Sequence, residues 1–149
     1  MYQLIPLILA LALLIPWTGP ADPGGRIAAA NAADGLAEQA LILHQTAIAY
    51  VAAHPGANGL IDSGALPAGW SAQTIVSCAA ARAVATYVAV PPQLSKPAVA
   101  AALARLWGGF PLVGLARTDT VTNPYTGSQL ALPCPIPDQS PVICSQAGG

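Results

Sequence analysis

The chain has 149 residues, of which 7% are charged and 54% hydrophobic, and its formal net charge is −1. Soluble domains carry roughly 25% charged residues, so this surface is poor in charge, and Arg26, Arg82, Lys96, Arg105 and Arg117 are too scattered to form a stripe for phosphates. Nucleic acid is therefore disfavoured as a partner, and with 32 alanines burying little area each, the length supports one modest core in one domain.

The first element is the stretch LIPLILALALLIPW, apolar for 14 residues from Leu4 to Trp17. A spanning helix needs about 20 residues, so length alone favours the core of a signal peptide that is removed. No charge occurs between Met1 and Ala21, however, and the segment extends to a span if Tyr2, Gln3 and Trp17 sit at the interfaces. A basic leader is missing, and the one small-x-small site, Gly19-Pro20-Ala21, carries a proline. These features favour an uncleaved anchor over residues 1–21, built on Leu4, Ile5, Leu7, Ile8, Leu9, Leu11, Leu13, Leu14, Ile15 and Trp17. A cleaved signal is the alternative. Residues 22–149 then form a single domain.

From Arg26 to His54 the chain is alanine-rich and free of proline, which predicts one long helix with Gly35 as its weak point and Pro55-Gly56 as its stop. Leu36, Ala40, Leu43, Ala47 and Tyr50 fall at spacings of four and three and make one stripe, while Leu41, Ile48 and Val51 face elsewhere. A helix apolar around most of its circumference is buried on more than one side. The expectation is that Leu36, Leu41, Leu43, Ile48, Tyr50 and Val51 contact a partner, a second copy included, as well as the chain's own sheet.

Turn-rich residues PGANGLIDSGALPAGW follow, then two segments that read as strands, Thr74-Ile75-Val76 and Ala85 to Val90, with the residues between them ambiguous. Ser95 or its neighbour caps a short second helix, KPAVAAALARLW, which has a proline in its first turn and ends at Gly108. Pro111 to Arg117 reads as a strand and Thr118 to Leu132 as a hairpin around Asn123-Pro124-Tyr125-Thr126-Gly127. One long helix followed by strands is an α+β arrangement, the helix packed on one face of an antiparallel sheet.

The remaining chemistry is sparse. Cys134 and Cys144 flank the proline-rich turn CPIPDQSPVIC; a disulfide there closes a short loop, contributing about 2–3 kcal/mol in the chain-entropy model, and implies an oxidising compartment. Cys78 is left over and three pairings are open, as are three reduced thiols. Without a CxxC pair, zinc and thioredoxin-type sites find no support. His44 and His54 are ten residues apart, about 15 Å of rise along a helix, so they do not share a metal. His44 is expected at the helix interface and His54 at the helix end near its last carbonyls. Asp62-Ser63 has no GxSxG frame, no Walker lysine exists, and no cofactor is implied. Asp34 and Glu38, four residues apart near a helix start, suit the helix dipole and not acid–base chemistry. Trp17 suits a membrane interface, and Trp70 and Trp107 suit caps over a core.

The run ALILHQTAIAYVAAHPGANGLIDSGALPAGW resembles the PilM proteins of thin-pilus systems, the type IVB pili encoded on conjugative plasmids and integrative elements. The residues that carry the likeness are Ala49, Tyr50, Ala53 and Pro55, then Gly59, Ile61, Asp62, Ser63, Leu66, Pro67 and Trp70. Tyr87-Val88, the Asn123 to Gly127 turn, Leu132-Pro133 and Ile136-Pro137 follow in similar order. The resemblance implies a small, non-enzymatic inner-membrane protein that faces the periplasm, brings no catalytic residues, and contacts pilin and other proteins of the assembly apparatus or pilus base. An actin-like ATPase of other pilus systems shares the name but is a different protein, and no nucleotide-binding pattern occurs here. The cysteines and the alanine-rich second helix have no counterpart in the family pattern. A pilin-like build also describes a minor pilin, although MYQLIPLILALALLIP lacks the basic leader, cleavage-site glycine and glutamate of a prepilin. A secreted adhesive module is a further class of answer, and a periplasmic hydrolase the least supported.

Overall fold

The computed structural model describes residues 23–61, 74–107, 112–123 and 126–146. The expected membrane segment, Trp70, Asp62-Ser63 and Gly108 lie outside the described residues.

Helix α1 runs from Pro23 to Ala53, 31 residues or about 46 Å. Proline opens it, where a missing N–H is harmless, and Pro55-Gly56 follows its end. Its buried stripe is Ala33, Ala37, Ala40, Leu43, His44, Ala47 and Val51, at spacings of mainly four and three. Alanines bring the helix axis close to the sheet. Of the expected stripe, Ala40, Leu43 and Ala47 are core and Leu36 is half-buried, whereas Tyr50 is 44% exposed and Val51, expected to face elsewhere, is core. Residues Gly24 to Ala32 are exposed and precede the first buried position.

Helix α2, Lys96–Leu106, is capped as its sequence predicts. The Ser95 hydroxyl accepts from the Ala98 N–H at 3.4 Å, and the Trp107 N–H donates to the Leu103 carbonyl at 3.0 Å. An exposed ion pair, Arg105 with Asp34, joins the two helices, contributing roughly 0–1 kcal/mol.

Among the described residues seven strands form one antiparallel sheet: β1 (Gly59–Ile61), β2 (Ile75–Ala80), β3 (Ala83–Val88), β4 (Leu112–Arg117), β5 (Thr120–Thr122), β6 (Gln129–Ala131) and β7 (Pro141–Gln146). Their spatial order is β1-β2-β3-β7-β4-β5-β6. The fold is α+β and pilin-like, as the sequence predicts, with two strands it did not reveal. β1 lies within the turn-rich run, and β7, in the expected proline-rich C-terminal turn, occupies the middle of the sheet. The β2–β3 turn places both Ala81 (φ 49) and Arg82 (φ 67) in the left-handed region, the geometry of a two-residue hairpin that usually selects Asn-Gly. The expected Asn123 to Gly127 turn links β5 to β6, with Asn123 Oδ1 accepting from the Thr126 N–H at 3.1 Å and Gly127 at φ 69.

Both helices pack on one face of the sheet, over Ile75, Val88, Val113 and Ile143. The opposite face carries Cys78, Ala85, Ala116, Val121 and Val142, closed by Ile136 and its neighbours. From Ala131 to Cys134 is at most about 11 Å of chain, and the Cys134 and Cys78 Cα atoms are 6.4 Å apart. A flat sheet would separate β6 from β2 by about 24 Å, so this sheet curls around its helix-free face.

Gly114 marks the curl: a Cβ there would lie 2.2 Å from the Thr122 carbonyl oxygen. Gly114→Ala is expected to lower the unfolding free energy by about 2–3 kcal/mol. Gly35→Ala, in open space on α1, is expected to raise it by up to about 1 kcal/mol. Urea unfolding of both variants checks the pair, and equal effects would contradict the curl.

Candidate functional site

Buried polar side chains from two strands gather at His44, which is itself completely buried. Its Nδ1 lies 2.9 Å from Thr86 Oγ1 on β3, and its Nε2 lies 2.8 Å from Ser145 Oγ on β7. Thr86 Oγ1 is in turn 2.8 Å from Ser77 Oγ on β2. Strand alternation presents all three hydroxyls to the helix-covered face, and Trp107, the expected cap at the end of α2, meets the imidazole edge-on at 5.8 Å.

A neutral imidazole has one donor and one acceptor nitrogen, so hydroxyls on both sides satisfy it in either tautomer. No buried side-chain nitrogen or oxygen among the described residues lacks a partner. Burial pushes the His44 pKa down to about 4, because nothing replaces the water that would solvate an imidazolium. A serine beside a neutral histidine is the start of a nucleophile–base pair. Here the far nitrogen rests on a threonine hydroxyl and not on the carboxylate that stabilises an imidazolium in such sites. The geometry instead makes a neutral clamp holding α1 to the centre of the sheet. The sequence placed His44 at the helix interface; the hydroxyls, far away in sequence, carried no signal that would pair them with it.

His54 sits where expected, at the exposed end of α1, its Nδ1–H donating to the Tyr50 carbonyl at 3.0 Å and its ring stacked on Tyr50 at 4.4 Å. Asp34 pairs with Arg105, and Glu38 is exposed. Among the described residues no group of three or more His, Cys, Asp or Glu could hold a metal ion.

The sulfur chemistry differs from the expected pairing. Cys134 is bonded to Cys78, 56 residues away, and Cys144 is a buried free thiol, its pKa pushed up to about 12 by burial. The expected Cys134–Cys144 bridge treated CPIPDQSPVIC as one small loop. In fact its first part crosses the helix-free face to β2, while its last residues enter β7. Cys78 and Cys144 both flank Ala85 in the ladder, two strand spacings or about 10 Å apart, beyond the span of a disulfide. A structural disulfide belongs to an oxidising compartment, which fits an extracytoplasmic domain.

The expected partner-contact residues divide. Leu43 and Val51 are 7% and 1% exposed and belong to the chain's own core. Leu36, Leu41 and Ile48 are half-buried against the same core, and Tyr50 is exposed. Ile27 and Ile42, not singled out by the sequence, are 63% and 45% exposed. Among the described residues no helix is long and apolar enough to cross a membrane; Leu4 to Trp17 lie outside them.

No curated protein matches the chain, and no solved structure does. A family model described as PilM matches residues 12–144, from the apolar N-terminal run through both helices and into β7. With most of its length under that model, the chain belongs to the PilM family, whose role is in type IV pilus biogenesis.

Proposed function

We propose that the chain is a non-enzymatic accessory component of thin, type IVB pilus assembly, acting by protein contacts in pilin transport or at the pilus base. The observation that carries this reading is the family match over residues 12–144. The proposed arrangement anchors residues 1–21 in the inner membrane and faces residues 22–149 to the periplasm, in keeping with the disulfide. Pilin and other pilus-assembly proteins are the proposed partners, met through the uncovered side of α1 with Ile42 and Tyr50, and Ile27 on the exposed first turns. A second copy is a further candidate partner.

The test is a strain lacking only this gene, with thin pili counted by electron microscopy before and after complementation. Pili should vanish and return. Unchanged pili would remove the assembly role and favour a secreted adhesive module.

A further inference from the structure

The helix-free face of the sheet bears an apolar row that crosses five strands in register: Leu60, Cys78, Ala85, Cys144 and Leu112. Its cover is the segment from Leu132 to Ser140, with Ile136 6% exposed against the row's neighbours. Leu60, at the β1 end of the row, is 74% exposed.

The attachments of this segment are unevenly placed. At its start the Leu132 N–H donates to the Asp119 carbonyl, and at its end the Gln139 N–H donates to the Ala116 carbonyl while the Ala116 N–H donates to the Ser140 carbonyl. Between them, Pro133, Pro135 and Pro137 have no N–H to give, and among the described residues no backbone group from Pro133 to Asp138 hydrogen-bonds the sheet. Lys96 Nζ, 3.4 Å from the Asp138 carbonyl, reaches it from α2. The middle is held to the sheet by the Ile136 side chain and the Cys78–Cys134 bond.

We propose that the segment Pro133 to Asp138 is a redox-latched strap: reduction of Cys78–Cys134 frees it from the sheet while helices and strands stay folded, uncovering the apolar row and the Cys144 thiol. An external dithiol breaks the Sγ–Sγ bond, passing two electrons and two protons to Cys78 and Cys134 and closing its own disulfide. Cys144 takes no part in that exchange. It lies under the strap and becomes a reporter of its position, since a buried, protonated thiol is inert and an exposed one is alkylated. The strap's state follows the dithiol balance of its surroundings, so the chain covers this face only after its disulfide has formed.

The experiment measures N-ethylmaleimide modification of Cys144 by mass spectrometry in the full chain, with far-UV circular dichroism on the same samples. Cys144 is expected to react slowly in the oxidised chain. In Cys78→Ser/Cys134→Ser it is expected to react about tenfold faster or more, with the dichroism unchanged and at a rate that stays flat in low urea, because release of the strap exposes little surface whereas global opening accelerates with urea. The wild-type chain reduced with dithiothreitol supplies a second reading free of substitutions and should show the same rise. Cys144 as protected as before in a folded reduced chain would overturn the proposal. So would loss of the dichroism together with the protection, since the strap would then not move independently of the fold.

Discussion

Cys78→Ser/Cys134→Ser is expected to lower the unfolding free energy by about 4 kcal/mol. The two residues are 56 apart in sequence, and closing a loop of that size removes about 14 cal/mol/K from the unfolded ensemble in the chain-entropy model, or about 4 kcal/mol at 25 °C. Cys144→Ala removes one buried sulfur and is expected to cost about 1 kcal/mol. Urea unfolding of both variants without reductant gives the comparison. Had Cys134 paired with Cys144, as the short spacing predicts, Cys144→Ala would match the loss of a disulfide and Cys78 would be the minor site; that pattern would contradict the pairing.

The second large effect is acid destabilisation through His44. Its pKa falls from an ordinary 6.5 to about 4 on folding, so between those values the unfolded chain binds the extra proton and stability rises with pH. The clamp's contribution is complete above about pH 6.5 and is lost as pH falls towards 4. A shift of that size corresponds to about 3 kcal/mol. Among the described residues no carboxylate faces the ring to reverse the sign: Thr86 and Ser145 bond its nitrogens, Trp107 meets its edge, and Asp34 is engaged with Arg105. Unfolding free energies of the wild type and His44→Gln from pH 7 to pH 4 test this. The wild type should lose about 3 kcal/mol more than the variant over that range, and parallel curves would contradict a buried neutral imidazole.

What the sequence revealed of this fold was local, and what it concealed was carried by contacts between distant residues. The Ser95 cap with Pro97 behind it, the Asn123 to Gly127 turn and the proline-free run of α1 each state their geometry within a few residues, and each stands as expected. β7 begins at a proline, follows a proline-rich run, and is a strand only because β3 and β4 offer it backbone partners on both sides. The stripe expected on α1 shares Ala40, Leu43 and Ala47 with the buried one and departs from it elsewhere: Tyr50 is exposed, and the core takes Ala33, Ala37, His44 and Val51 instead, because contacts with distant elements, and not the spacing alone, set how far round the helix burial reaches. Near the candidate site, His44 was legible as an interface residue, but its partners on β3 and β7 are 42 and 101 residues away. The cysteines show the same limit: proximity in sequence predicted one bridge, and the curl of the sheet makes another.

The proposed role in pilus assembly depends on an exposed protein surface of this chain. Its most direct test complements a strain lacking the gene with Ile42→Asp/Tyr50→Asp, two positions on α1 that are 45% and 44% exposed and whose replacement leaves the core intact. The double variant is predicted to accumulate folded, at wild-type level, and to leave the cells without thin pili. Pili restored to wild-type numbers by that folded variant would contradict a contact surface on this side of α1.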